Sequence, residues 1–75
     1  MAWSRSSDVR HEFKEIRWDN SVNSLSVSVM FDTERWRVWL FDVFDDQGEE
    51  LRSAGFRTRL QAIDFAKKFM KKEGK

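Results

Sequence analysis

The sequence predicts an α+β domain: a four-stranded antiparallel β-meander with one C-terminal amphipathic helix packed on one face, in the order ββββα. Three observations support this fold class. Apolar and small polar residues alternate over 24–31, turn-forming residues separate the apolar runs, and the C-terminal segment repeats its apolar residues at helical spacing. The 75 residues have room for a single core, which four Trp and seven Phe are large enough to fill.

The C-terminal segment carries the signals of a helix. Thr58 is followed three residues later by Gln61, the spacing of a capping box at a helix start. At about 100° per residue, the apolar residues that follow share one side of the helix, and lysines occupy the other. The apolar residues are Ala62, Ile63, Phe65, Ala66, Phe69 and Met70. We therefore expect a helix of about sixteen residues whose apolar side belongs to the core.

Four runs of residues are typical of strands. In chain order they cover residues 11–18, 24–31, 36–44 and 51–56. The first run is the least regular, whereas 36–44 is apolar on both faces, as expected for a central strand. Residues 1–9 include three Ser and are expected to form a flexible N-terminal tail, so that a single domain covers residues 10–75.

The two hairpins predict the strand register. A two-residue loop at residues 33–34 sorts the side chains of the first hairpin into two layers. The apolar layer is expected to contain the pairs Phe31–Trp36, Val29–Val38 and Val27–Leu40, and the opposite layer Met30–Arg37, Ser28–Trp39 and Ser26–Phe41. A three-residue loop at 46–48 is expected to pair Leu40 with Ala54 and Trp39 with Gly55. A slip by one residue would scatter both layers, which favours this register.

One face of the sheet is left without a covering element. The aliphatic layer is the larger one, so we expect the helix to cover it. The open layer presents large rings among residues too small to hide them, which predicts an exposed apolar patch. The residues expected to contact a partner are Ser26, Ser28, Arg35, Arg37, Trp39, Phe41 and Val43. Interfaces favour Trp, Phe and Arg, which predicts a binding module for a protein partner or a second copy, as a homodimer.

Nucleic-acid binding is the alternative hypothesis for this face. Bases stack on rings such as Trp39 and Phe41, while cationic side chains contact phosphates. The candidates for phosphate contacts are Arg52, Arg57 and Arg59. The net charge is only +1: residues 1–51 hold six Lys and Arg against eleven Asp and Glu, and residues 52–75 hold eight against two. Nucleic-acid-binding domains are usually strongly basic, so we rank protein contact first.

The composition argues against catalysis and cofactor binding. The chain has no Cys and one histidine, His11, so no thiolate metal site and no nucleophile–His–acid set is expected. The acidic turn at 45–50 lacks the spacing of a calcium loop, and no glycine-rich phosphate loop occurs. We therefore expect no enzyme activity, no cofactor and no metal. No apolar run resembles a signal peptide or reaches the about 18 residues of a membrane span, which predicts a cytoplasmic protein without membrane contact.

The strand-to-helix segment 55–66, GFRTRLQAIDFA, resembles the same unit in two families of small sheet-plus-helix binding domains. These are the plant AP2-type DNA-binding domain and the N-terminal arm-type domain of phage integrases. In both, an aromatic residue, a Thr cap and spaced alanines join strand and helix, and the free sheet face reads DNA. The resemblance implies DNA contacts at Arg35, Arg37 and Trp39. The strands of this chain lack the dense Arg and Lys of those families.

Overall fold

The structure is a computed structural model that describes residues 3–6, 11–45 and 47–73, the last without its side chain. Five strands, one short 3-10 helix and one α-helix follow each other along the chain. They are β1 (Trp3–Arg5), the 3-10 helix (His11–Phe13), β2 (Ile16–Asn20), β3 (Leu25–Asp32), β4 (Arg35–Asp42), β5 (Glu49–Phe56) and α1 (Arg59–Glu73). The fold class is therefore α+β with an antiparallel sheet and one C-terminal helix, as predicted.

The sheet has five strands in the order β1-β2-β3-β4-β5, so the predicted number of four is wrong. The additional strand comes from the expected tail, where Trp3 pairs with Asn20 and Arg5 with Trp18. Three residues without an alternating pattern carry little strand signal, and β1 forms because β2 offers it a free edge. The boundary between a flexible tail and the domain stays a prediction, and residues 1, 2 and 7–9 of that tail lie outside the described residues.

The hairpin of β3 and β4 has the predicted register. Phe31 lies opposite Trp36, Val29 opposite Val38, and Ser28 opposite Trp39, and the remaining predicted pairs are also present. The two-residue turn holds Thr33 at a φ of 43°, a left-handed conformation that β-branched residues rarely adopt. Packing of the two layers on either side of this hairpin therefore outweighs the local cost of the turn.

The predicted pairing of β4 with β5 is wrong. Leu40 lies opposite Glu49 and Trp39 opposite Glu50, and irregular pairing between Trp36 and Trp39 shifts the register along the strand. The cause is an early end of β4, because Asp42 Oδ1 accepts a hydrogen bond from Phe44 N at 2.9 Å and turns the chain. The connection then covers residues 43–48 rather than 46–48, and residue 46 lies outside the described part of the chain.

Gly55 marks one of these irregularities. Its φ is 71°, and a Cβ added there would lie 2.5 Å from Arg35 Cδ and 3.0 Å from the Trp36 carbonyl oxygen. Only glycine combines this φ with so close an approach of the neighbouring strand. The side chain across Gly55 is therefore Arg35 and not Trp39, and Ala54 is exposed instead of lying under the helix.

Helix α1 covers the predicted face of the sheet. Gln61 N donates to Thr58 Oγ1 at 3.2 Å, while Gln61 Oε1 accepts from Arg57 N at 3.3 Å, one residue earlier than a standard capping box. The buried core consists of Val27, Val29, Trp36, Val38, Ala62, Ala66 and Met70. The small side chains of Ala62 and Ala66 let the helix axis approach the valines closely. Within the described ranges, no helix is long and apolar enough to span a membrane.

Candidate interaction surface

The sheet face opposite α1 is called the open face here. Its residues follow from the strand registers, since side chains alternate between the two faces along each strand. On β2, β3 and β4 they are Arg17, Asp19, Ser26, Ser28, Met30, Asp32, Arg35, Arg37, Trp39 and Phe41, and Glu50 of β5 lies opposite Trp39. The structure thus places Ser26, Ser28, Arg35, Arg37, Trp39 and Phe41 of the predicted partner-binding residues on one face, and adds Arg17 and Asp19 of β2.

The two serines of the open face are fully buried although no helix covers them. Ser26 Oγ donates a hydrogen bond to Asp19 Oδ1 at 2.6 Å, and Ser28 Oγ donates to Glu15 Oε2 at 2.5 Å. Glu15 itself is buried. The side chains of Glu15, just before β2, and of Asp19 within it therefore extend to β3 and satisfy its hydroxyl groups. Ser26 and Ser28 support the carboxylates of the open face and lie below the surface that a partner would reach.

The arginines of the open face are held in ion pairs. Arg17 Nε lies 3.0 Å from Asp19 Oδ1, while Arg37 contacts Glu50 Oε1 at 2.6 Å and Asp32 Oδ2 at 2.9 Å. The hydrogen bond to Glu50 raises the pKa of Arg37 above its usual value, against the opposing effect of burial. Positive and negative charges alternate across the face, so it has no strong excess of positive charge.

The carboxylate of Asp19 is stabilised in its charged form. Burial raises its pKa, but the hydrogen bond from Ser26 and the hydrogen bond and charge of Arg17 outweigh burial, so the pKa of Asp19 lies below its usual value. The carboxylate of Asp19 is therefore charged at neutral pH.

The two rings of the open face are half-buried. The guanidinium carbon of Arg17 lies 5.1 Å from the centroid of the Phe41 ring, a cation–π contact that covers part of that ring. Trp39 lies between Ser28 on β3 and Glu50 on β5. The face is thus a charged network around two half-buried rings.

Three of the five exposed large apolar residues in the described part of the chain lie at one end of the sheet, in the turns β2–β3 and β4–β5. Phe44 is 89% exposed, Val22 76% and Val43 52%. The hydrogen bond from Val43 N to the Ser24 carbonyl, 2.9 Å long, joins the two turns. We call these three residues the apolar tip. Val43 was predicted as a contact residue, whereas Phe44 and Val22 were not.

A local turn signal in the sequence indicates the exposure of Val22 and Phe44. Asn20 Oδ1 accepts a hydrogen bond from Val22 N at 2.8 Å, as Asp42 Oδ1 does from Phe44 N. In both turns an Asn or Asp ends a strand and turns the chain, and the apolar residue two positions later faces solvent. Phe44 was instead assigned to a longer β4, which would have placed it in the sheet.

The predicted phosphate contacts do not converge with the rings of the open face. Arg52 stacks on Phe56 and Phe65, with distances of 5.2 and 5.9 Å to the ring centroids. Arg57 is exposed in the same groove between β5 and α1, whereas Arg59 lines a different groove.

Arg35, which was predicted as a partner-binding residue, lies near the turn of β3 and β4. Its Nη1 donates a hydrogen bond to the Ala54 carbonyl at 3.4 Å.

Among the described residues, no three His, Asp or Glu side chains converge as a metal site requires. No family model, curated protein or solved structure matches this chain.

Proposed function

We propose that this chain is a small non-enzymatic binding module that contacts a protein partner, including a second copy of itself, through the apolar tip and the adjoining open face. The observation that carries the proposal is the exposure of Phe44, next to Val43 in a turn that a hydrogen bond joins to the turn of Val22. A Phe that is 89% exposed gains nothing from the fold of its own chain, and it can bury its ring only against another molecule.

The apolar tip continues onto the open face. Phe41 precedes Val43 by two residues, and a Cβ placed at Gly48 would lie 3.7 Å from Phe41 Cβ, so the β4–β5 connection borders that ring. A partner seated on the tip would meet Phe41 and then Trp39. An exposed apolar side chain such as Phe44, surrounded by polar and charged residues, is typical of protein interfaces.

The charges of the open face favour a protein over a nucleic acid. Arg17 and Arg37 are already paired with Asp19, Asp32 and Glu50. Phosphates would have to displace these carboxylates or lie beside them, which costs electrostatic energy. Arg17 also occupies one side of the Phe41 ring, where a base would stack. Nucleic-acid binding remains the alternative proposal, with Arg57 and Arg59 as exposed cations outside the network.

Sedimentation velocity over a concentration series tests the proposal. We expect the full chain to self-associate with weak salt dependence, and Phe44→Ser to abolish the association without unfolding the domain. Leu60→Ser is the matched control, because Leu60 is 78% exposed at the start of α1, at the opposite end of the sheet.

Two results would contradict the proposed self-association. One is an equal loss of association in Phe44→Ser and Leu60→Ser, which would indicate nonspecific association through exposed apolar residues. The other is a monomer at every concentration that binds single-stranded DNA with an affinity that falls steeply between about 50 and 200 mM salt, which would favour the nucleic-acid alternative.

A further inference from the structure

A groove at the end of the sheet opposite the apolar tip collects cationic side chains from three parts of the chain. Arg5 ends β1, His11 and Lys14 lie in and after the 3-10 helix, and Arg59 begins α1. All four line one groove of about 460 Å³, together with Trp36 and Glu15. A groove of this size matches the about 300–1,000 Å³ of typical small-molecule sites.

The cations of this groove differ from those of the open face in having no carboxylate partner. Among the residues that the structure describes, no Asp or Glu oxygen lies within 4.0 Å of a charged nitrogen of Arg5, Lys14 or Arg59. Lys14 Nζ instead lies 5.3 Å from the centroid of the Phe31 ring. Glu15 also lines the groove, and its Oε2 accepts the hydrogen bond from Ser28 described above.

The charge of the groove defines the ligand that would fit. Among the described residues that line the groove, three permanent positive charges face one carboxylate. Unpaired cations held within one small groove repel each other, and a multiply charged anion relieves that repulsion. Arg side chains also bind phosphate with two parallel hydrogen bonds.

We propose that this groove is a binding site for the phosphate group of a small phosphorylated molecule, held by Arg5, Lys14 and Arg59. The groove between β5 and α1 serves as a comparison, because it also contains Arg and Lys. There Lys68 Nζ lies 3.2 Å from Asp64 Oδ2, so this cation already has a carboxylate partner. The site is separate from the apolar tip, and the proposal does not depend on the proposed function.

Calorimetric titration of the full chain with inorganic pyrophosphate tests this site. We expect binding with a dissociation constant below about 1 mM, and weakening by about tenfold or more in Arg59→Gln. The matched control is Arg57→Gln, two residues earlier and equally exposed but in the other groove, which should change the affinity less than about twofold. Phe44→Ser should also leave pyrophosphate binding unchanged.

Three outcomes would overturn the proposal. The first is no pyrophosphate binding at millimolar concentration. The second is equal weakening by Arg57→Gln and Arg59→Gln, which would show attraction to the overall charge instead of a site. The third is much tighter binding of a short single-stranded DNA that both substitutions weaken alike, which would assign these arginines to a nucleic-acid surface.

Discussion

The two faces of β3 are equally buried, but by different means. Val27 and Val29 are fully buried under the aliphatic side of α1. Ser26 and Ser28, on the other face, are fully buried as well, under the charged side chains that reach over from β2. One layer excludes water with apolar groups, and the other excludes it with hydrogen-bonded ions.

This difference shows how a small domain with a single helix can bury residues on both faces of its sheet. Apolar burial stabilises the helix-covered face by about 25 cal/mol per Å² removed from water. The open face gains less per group, because each carboxylate and arginine gives up hydration before it forms its ion pair. The helix-covered face therefore supplies most of the stability.

The largest effect should separate two tryptophans of β4 that lie three positions apart, on opposite faces of the sheet. Trp36 is buried against Phe31, with ring centroids 5.2 Å apart, whereas Trp39 is half-buried on the open face. We expect Trp36→Ala to lower the free energy of unfolding by about 3–5 kcal/mol, enough to unfold much of a domain of this size. Trp39→Ala should cost about 1–2 kcal/mol. Urea denaturation measures both, and equal costs would contradict the difference between the two faces.

A smaller effect should appear when the buried hydrogen bond of Ser28 and Glu15 is broken. Glu15→Ala leaves the buried Ser28 hydroxyl without this acceptor and should cost about 1–3 kcal/mol. Glu15→Gln keeps an acceptor oxygen and is the control. The double variant Glu15→Ala with Ser28→Ala should lose less unfolding free energy than the sum of the two single variants. The second substitution removes the Ser28 hydroxyl that the first leaves without its acceptor. Additive costs in urea denaturation would show that the two side chains do not depend on each other.

The smallest effect concerns the pH dependence of stability. The pKa of Asp19 is lower in the folded chain than its usual value of 3.8, so its charged form is favoured by folding. This contribution is present above the unfolded pKa and is lost as pH falls through the lower, folded pKa. Asp19→Asn should therefore flatten the acid side of a stability–pH profile and leave the alkaline side unchanged. An unchanged acid side would show that the contacts of Asp19 with Ser26 and Arg17 are energetically unimportant.

The features predicted correctly depend on neighbours along the chain. The register of β3 and β4 follows from a two-residue turn and two alternating layers, and the capping contact of Thr58 with Gln61 depends on a spacing of three residues. Of the features predicted wrongly, one depends on a distant contact, because strand β1 exists only where β2 provides an edge. The early end of β4 depends on the local turn at Asp42, whose carboxylate also accepts a hydrogen bond from the distant Ser24 Oγ at 3.3 Å.

The same division holds for the candidate surfaces. The face that α1 covers was determined by the sequence alone, because periodic apolar side chains on α1, β3 and β4 match in only one register. Only the tertiary structure decided what lies on the other face. The carboxylates of Glu15 and Asp19 are seven or more residues from the serines that they bind, and no local pattern links them. Their contact arises when β2 packs beside β3. The early turn at Asp42 takes Phe44 out of β4, so the most exposed apolar side chain lies at the end of the sheet and not at its centre.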